Sequence, residues 1–466
     1  MKNTAIFILL LLGALLFFPL ANLLGLSDQN EPIAVLPGHS EKFTMVSKIL
    51  QNKCVDCHSP GMMRATLYSD LPVVREYLKQ DIELARARLV LSEQFFSGEK
   101  PATPLMLARL QGVIKHDEMP PEEYRLMHWT GSLTEKEKAI ILAWIDEQRA
   151  NLAWSKDTVA ELKAEPVQPL PLTTELNPEL VALGKKLFHD PLLSANDKLS
   201  CASCHDLTKG GTDQSKVSTG INAQQGPINS PTVYNAMYNI AQFWDGRAKD
   251  LQEQAAGPVS NPKEMGAQWD KVIEKLKQVP DYQQAFATLY PAQGLTKNTV
   301  TATIAVFEQA LLTGNSRFDQ YLRGNTTLLT SEEKHGYALF KDNCSSCHLG
   351  PVLGGLSYEK MGEEYFKSRS DPLTEADNGR YNVTKQEKDR HYFKVPTLRN
   401  IEITHPYFHD GTVDSLAEAV QKMGKVQANK NFTTEEIADL VAFLKTLTGE
   451  YQGKSLLQLK MEDFNS

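Results

Sequence analysis

Apolar residues recur at helical spacing in three short stretches, Phe43 to Leu50, Leu180 to Phe188 and Glu333 to Phe340. The second and third read alike: Leu183-Gly184-Lys185-Lys186-Leu187-Phe188 against His335-Gly336-Tyr337-Ala338-Leu339-Phe340. Each is followed, further on, by a helix with a marked start. Ser132-Leu133-Thr134-Glu135 leads into Ala139 to Trp144, and Leu295-Thr296 into Val300 to Leu312. Phe432-Thr433-Thr434-Glu435-Glu436 leads into Ile437 to Leu447, with Gly449 as the expected stop. Strand-like alternation is rare. The pattern predicts a mainly α fold of three related modules in series, with residues 350–392 as a long irregular connection. The Pro-rich stretch Pro166, Pro169, Pro171, Pro178 reads as a linker, and a second boundary falls near Gly324 to Leu329.

Ahead of these modules, Thr4 to Leu26 is an uncharged run of 23 residues behind Lys2. As a helix it would span about 34 Å, enough for a hydrocarbon core of about 30 Å. Leu20-Ala21-Asn22-Leu23-Leu24 offers no good small-x-small cleavage site, so an anchor in the bilayer is expected rather than a removed signal. Lys2 then stays inside, and the bulk of the chain lies in the periplasm. The expected segments are 1–30 (anchor), 31–165, 166–325 and 326–466.

The chain has 466 residues, 41% hydrophobic and 23% charged, which excludes a wholly disordered polymer. Its formal net charge is -8 and no basic block occurs, so no nucleic-acid partner is expected.

All six cysteines fall in three pentapeptides, Cys54-Val55-Asp56-Cys57-His58, Cys201-Ala202-Ser203-Cys204-His205 and Cys344-Ser345-Ser346-Cys347-His348. With 6 Cys and 11 His in the chain, on the order of 0.002 such matches arise by chance. Two thiols so spaced can bond the two vinyl groups of a porphyrin, and the adjacent His is placed to ligate its iron. A zinc site or a thioredoxin-like pair would use the same spacing, but zinc needs further ligands and no other Cys exists. Three covalent haem c groups in cytochrome-c-like modules are therefore expected, with His58, His205 and His348 as proximal ligands.

The sixth ligand decides between carrier and enzyme. In the first module Met119-Pro120-Pro121 is the favoured source, with Met127 and His116 as rivals. In the third, Met423-Gly424 closes the helical stretch from Ser415 to Lys422, and Met423 is favoured. The middle module offers Met237 and Met265, which would make it a third carrier. It also offers Gln254 and Glu264, a carboxylate and an amide suited to general acid–base work on a peroxide. From residue type alone, Glu264 reads more simply as a solvated loop acid.

Longer strings add a resemblance. Gly226 to Thr232, Ala241 to Arg247, Phe393 to Asn400 and Pro406 to Gly411 are similar to those of the bacterial di-haem cytochrome c peroxidases. With its extra amino-terminal module and anchor, the chain resembles the tri-haem, membrane-bound branch that acts as quinol peroxidases. The resemblance implies a peroxidatic haem at Cys201, Cys204 and His205, and an electron-transfer haem at Cys344, Cys347 and His348 with Met423. It implies Glu264 as acid–base, Gln254 as distal amide and Trp244 as the aromatic between the two haems. It also implies calcium at Asn229 and the carbonyls of Thr404 and Pro406, oxygen ligands of the kind calcium takes.

One position departs from the family. Many members carry a blocking His where this chain has Ile221, which cannot ligate iron, so an open middle haem needing no reductive activation is expected. Met423 stands where the methylamine-maturation relatives have Tyr. The implied function is reduction of hydrogen peroxide to water, with electrons from membrane quinol entering at the first haem and passing to the third and then the middle one. Soluble cytochrome c is the alternative donor, suited to an acidic surface. A non-catalytic multihaem carrier and a haem-based sensor are the other classes considered.

Overall fold

The computed structural model describes residues 16–24, 31–62, 69, 71–152 and 156–464. The chain forms two compact units, residues 1–152 and 153–466. Most of the expected membrane span lies outside the described residues. Among the described residues no helix is long and apolar enough to cross a membrane.

In the first unit, Ser40 caps α1 (Glu41–Lys53) by accepting a hydrogen bond from the Phe43 amide at 3.1 Å. Helix α2 (Pro104–Lys115) starts on a proline behind the Thr103 cap, where a missing N–H costs nothing. Helix α3 (Glu135–Ala150) opens on a reciprocal capping box between Thr134 and Glu137. Val46, Leu50, Phe95 and Trp144 are buried together, and the Phe43 and Trp144 rings lie 6.0 Å apart. That packing holds α1 against α3 and so positions the Cys54 motif directly after α1.

The second unit repeats one device twice. Helix α4 (Pro178–Phe188), capped by Asn177, packs on α6 (Lys297–Ala310), with α5 (Leu251–Ser260) between them in sequence. Helix α7 (Ser331–Asn343) packs in the same way on α9 (Thr434–Lys445), which follows α8 (Leu416–Gln427). A Cβ at Gly184 would lie 2.3 Å from the Thr303 carbonyl oxygen. One at Gly336 would lie 1.9 Å from that of Asp439. Both helix pairs therefore cross at backbone contact, which is why the two six-residue strings align on their glycine. The only strands of three residues among the described residues are β1 (Tyr358–Lys360) and β2 (Tyr392–Lys394), antiparallel with Tyr358 opposite Lys394.

Four local expectations change. The Pro-rich stretch is not an exposed spacer at its start: Val167, Gln168 and Leu170 are fully buried. The cause is Arg399, itself 0% exposed, which pairs with Asp319 at 2.7 Å and donates to the carbonyls of Gln168 and Pro351. A buried guanidinium needs each of these partners, and it clamps the stretch to the chain that follows His348. Residues 350–357 are likewise packed, with Val352 and Leu353 fully buried, rather than a loose connection. Helix α8 runs through Met423-Gly424 to Gln427, because Gly424 is buried under the Phe432 ring instead of breaking the helix. Gly449 does not stop α9, which ends at Lys445. It is small because a Cβ there would lie 2.0 Å from the Thr313 carbonyl oxygen.

Candidate active site

In each pentapeptide the histidine ring is held in the same way. Nδ1 of His58 donates to the Leu89 carbonyl at 2.9 Å, that of His205 to Gly211 at 3.2 Å, and that of His348 to Leu353 at 2.9 Å. A carbonyl can only accept, so Nδ1 carries the proton and Nε2 is left with a free lone pair. Burial lowers the pKa of all three rings, which favours the neutral, ligating form. None of the six cysteines is in a disulfide, and all six are half-buried. Burial pushes Cys57 up to about 11 and Cys344 up to about 12, and raises Cys201 and Cys204 as well. Paired half-buried thiols beside a preset imidazole suit covalent haem attachment.

The middle motif opens on a deep cleft, partly open to solvent, of the kind that holds a cofactor. Cys201, Cys204 and His205 line it together with Trp244, Gln254 and Glu264. The structure thus brings the three sequence-expected side chains to the pentapeptide from three different segments. Gln254 sits on α5, one turn after its Asp250 cap. Glu264 sits in the turn after α5, where Asn261 Nδ2 donates to its Oε1 at 2.7 Å. Burial raises the Glu264 pKa, while the Arg247 charge and the Asn261 bond pull it down. A carboxyl so placed can exchange a proton nearer neutrality than a surface acid. Trp244 Nε1 donates to the Asn229 carbonyl at 2.9 Å, and its own carbonyl accepts from the Lys394 amide at 2.8 Å.

Ile221 does not face this cavity. Its amide donates to the Glu264 carbonyl at 2.8 Å, and its side chain packs over Gly266, where a Cβ would meet Ile221 Cδ1 at 2.2 Å. Met265 borders the cavity but belongs to the apolar core at 5% exposure, and Met237 is exposed. Asn229 Nδ2 donates to the Ser215 carbonyl at 2.9 Å, and its amide bonds the His409 carbonyl at 2.8 Å. The segment with Thr404 and Pro406 reaches the same loop, since Gln214 Nε2 donates to the Ile403 carbonyl at 3.0 Å.

In the first unit a cleft open to solvent is lined by Cys54, Cys57, His58 and Met119. Neither Met127 nor His116 lines it; the Met127 carbonyl instead accepts from Asn22 Nδ2. In the third module Met423 is half-buried on α8.

Two groups escaped the sequence reading. Asn261 had a local signal, the Asn three positions before Glu264. Glu308 had none: it lies on the cavity-facing side of α6, 4% exposed, with no partner for Oε2 among the described residues, and burial raises it to about 8.

Comparison with known proteins agrees with this geometry. The family model described as di-haem cytochrome c peroxidase matches residues 178–327. A haem-binding domain model matches residues 17–147 and a cytochrome c model residues 333–448. Cytochrome c peroxidase Ccp of Escherichia coli (strain K12) is 42% identical over 416 residues, covering 88% of this chain and 89% of that protein. Cytochrome c551 peroxidase of Nitrosomonas europaea is 49% identical over 287 residues, covering 61% and 85%. A solved MauG-like protein associated with microbial copper homeostasis superposes with a TM-score of 0.53 at 28% identity, covering 61% and 94%. With its haem-attachment motifs, preset histidines and acid-lined cavity, the chain belongs to the di-haem cytochrome c peroxidase family and is a haem c peroxidase.

Proposed function

We propose that this chain is a membrane-anchored, periplasmic tri-haem peroxidase that reduces hydrogen peroxide to two waters with electrons from quinol. The observation that carries the reading is the meeting of Glu264 and Gln254 with His205 around one cavity. Three haem c groups would be held by Cys54, Cys57, His58 and Met119, by Cys201, Cys204 and His205, and by Cys344, Cys347, His348 and Met423. Segments 31–165, 166–325 and 326–466 are the corresponding modules. The uncharged run from Thr4 to Leu26 supports the anchor and with it a quinol donor and a periplasmic bulk.

Haem held in the middle cavity by Cys201, Cys204 and His205 would supply the redox chemistry of peroxide reduction. The Glu264 carboxylate accepts a proton from the bound peroxide and returns it to the leaving oxygen. Gln254 holds the peroxide by hydrogen bonding. The His205 ring, its Nδ1 fixed by the Gly211 carbonyl, would ligate the iron and donate electron density to it. Trp244, tied to Asn229 and Lys394, gives electrons arriving from the third module a π system beside the cavity.

Calcium is proposed at the Asn229 side-chain oxygen with the Thr404 and Pro406 carbonyls. Asn229 uses its Nδ2 toward Ser215, which leaves the amide oxygen for a hard cation.

Steady-state peroxide reduction, run in parallel with a quinol analogue and with a reduced soluble cytochrome c, tests the reading. Turnover with quinol is expected. Turnover with the cytochrome alone would replace the donor, and turnover with neither would remove the reading.

A further inference from the structure

Lys394 ends β2 and is 6% exposed. No hydrogen bond or ion pair of its ammonium is formed among the described residues. Burial alone lowers it to about 8, with no carboxylate opposing the shift. A largely buried ammonium without a partner is costly, and an anion that reaches it offsets that cost.

The surroundings say where that anion comes from. Phe393, the preceding residue, stacks on His409 at 4.3 Å, and His409 bonds Asp377, which also pairs with Arg369. Successive strand residues face opposite sides, so Lys394 turns away from this buried charge network. Lys394 shares its face with Tyr358, its cross-strand partner, and the strand continues along the loop that follows His348. The Val395 amide donates to the Ser357 carbonyl at 2.9 Å, and the Val395 carbonyl accepts from the Gly355 amide at 2.7 Å. A Cβ at Gly354 would lie 2.1 Å from the Pro396 carbonyl oxygen, so the two segments touch backbone to backbone. The Pro396 carbonyl also acts on the His348 ring. Lys394 is therefore a buried cation on a segment that touches the loop after His348, and the haem expected there would bring two carboxylates of its own.

We propose that Lys394 is the counter-ion of a propionate of the haem held at Cys344, Cys347 and His348, and that it ties that haem's edge through its own backbone to Trp244. The link is short: the ammonium meets the propionate, and the Lys394 amide donates to the Trp244 carbonyl. Lys394 is a positioning residue, since it acts on the haem edge and on Trp244 rather than on peroxide. The proposal rests on the third-module haem of the proposed function.

The test uses the full-length haem-loaded protein. Haem per chain, counted by pyridine haemochrome, is measured first; fewer than three would fail the tri-haem reading without touching Lys394. Potentiometric titration then compares wild type with Lys394→Gln and Lys394→Arg. Loss of a nearby positive charge favours the ferric state. In Lys394→Gln the third-module haem should shift about tenfold toward ferric at fixed potential, a fall of about 59 mV for one electron. Lys394→Arg should restore most of it. An unchanged third-module potential, or a fall confined to the middle haem, overturns the assignment. Should Lys394→Gln fail to load haem, the propionate bending band in resonance Raman spectra of Lys394→Arg still decides. It should move from its wild-type position, and an unmoved band overturns the proposal.

Discussion

The amide of Ile221 donates to the carbonyl of Glu264 at 2.8 Å, so the loop that could have carried a blocking ligand is docked onto the turn that carries the acid. The Ile221 side chain meanwhile packs over Gly266. Gly220 reinforces the docking, because a Cβ there would lie 2.0 Å from the Lys263 carbonyl oxygen. The oxidised, haem-loaded protein should accordingly show one high-spin haem by EPR and turn over peroxide without prior reduction. A spectrum with only six-coordinate, bis-liganded haems, or a lag abolished by reductant, would contradict this.

Glu264→Gln keeps the shape of the acid and removes its proton exchange. Peroxide turnover should drop by roughly 10²- to 10⁴-fold, the usual contribution of general acid–base catalysis. The pH profile gives a second handle. Glu264 must be ionised to take the first proton, and burial raises its pKa, so the acid limb of the rate should lie above the ordinary carboxylate range. The Asn261 hydrogen bond pulls in the other direction. Asn261→Ala should therefore move that limb to still higher pH, whereas an indifferent residue would leave it in place.

Met119 shares a cleft with His58, and Met127 does not. Met119→Leu should abolish the methionine-to-iron charge-transfer signature of the first haem and lower its potential, with Met127→Leu leaving both as they were. Optical redox titration of the two variants separates them.

Gly184 and Gly336 hold their helix pairs at backbone contact. Alanine at either position must push a helix away from a carbonyl oxygen. Each substitution should cost about 1–3 kcal/mol, as overpacking usually does. Thermal unfolding should register both, and a pair of unchanged melting curves would argue against the close crossing.

Glu308 is held protonated by burial, raised from its ordinary 4.5 to about 8. Its folded pKa lies above the unfolded one, so its contribution to stability is complete below about 4.5 and is lost as pH rises toward 8. The slope is at most about 1.4 kcal/mol per pH unit. Glu308→Gln lacks this loss. The melting temperature of the variant minus that of wild type should grow steadily across that window, and a constant difference would refute it.

Much of the site was legible before the fold. The three pentapeptides carry their meaning in contiguous residues, because two thioethers and one ligand must reach the same porphyrin from one turn of chain. Helix starts were legible for the same reason: the capping boxes at Thr134, Thr296 and Thr433 are bonds between residues three apart. Glu264 was different. Residue type alone favoured a solvated acid, and only the resemblance to a family raised it above that reading.

What the chain's own order of residues determined, then, is everything that chemistry settles over a few positions: haem attachment, helix caps, the absence of an imidazole at Ile221. What tertiary structure decided is burial and who meets whom across separations such as 48 and 231 residues. Gln168 and Pro351 are ordinary loop residues until Arg399 binds both. Lys394 and Glu308 look like surface charges until packing removes them from water. Desolvation is a property of the assembled fold, and no local pattern of residues encodes it.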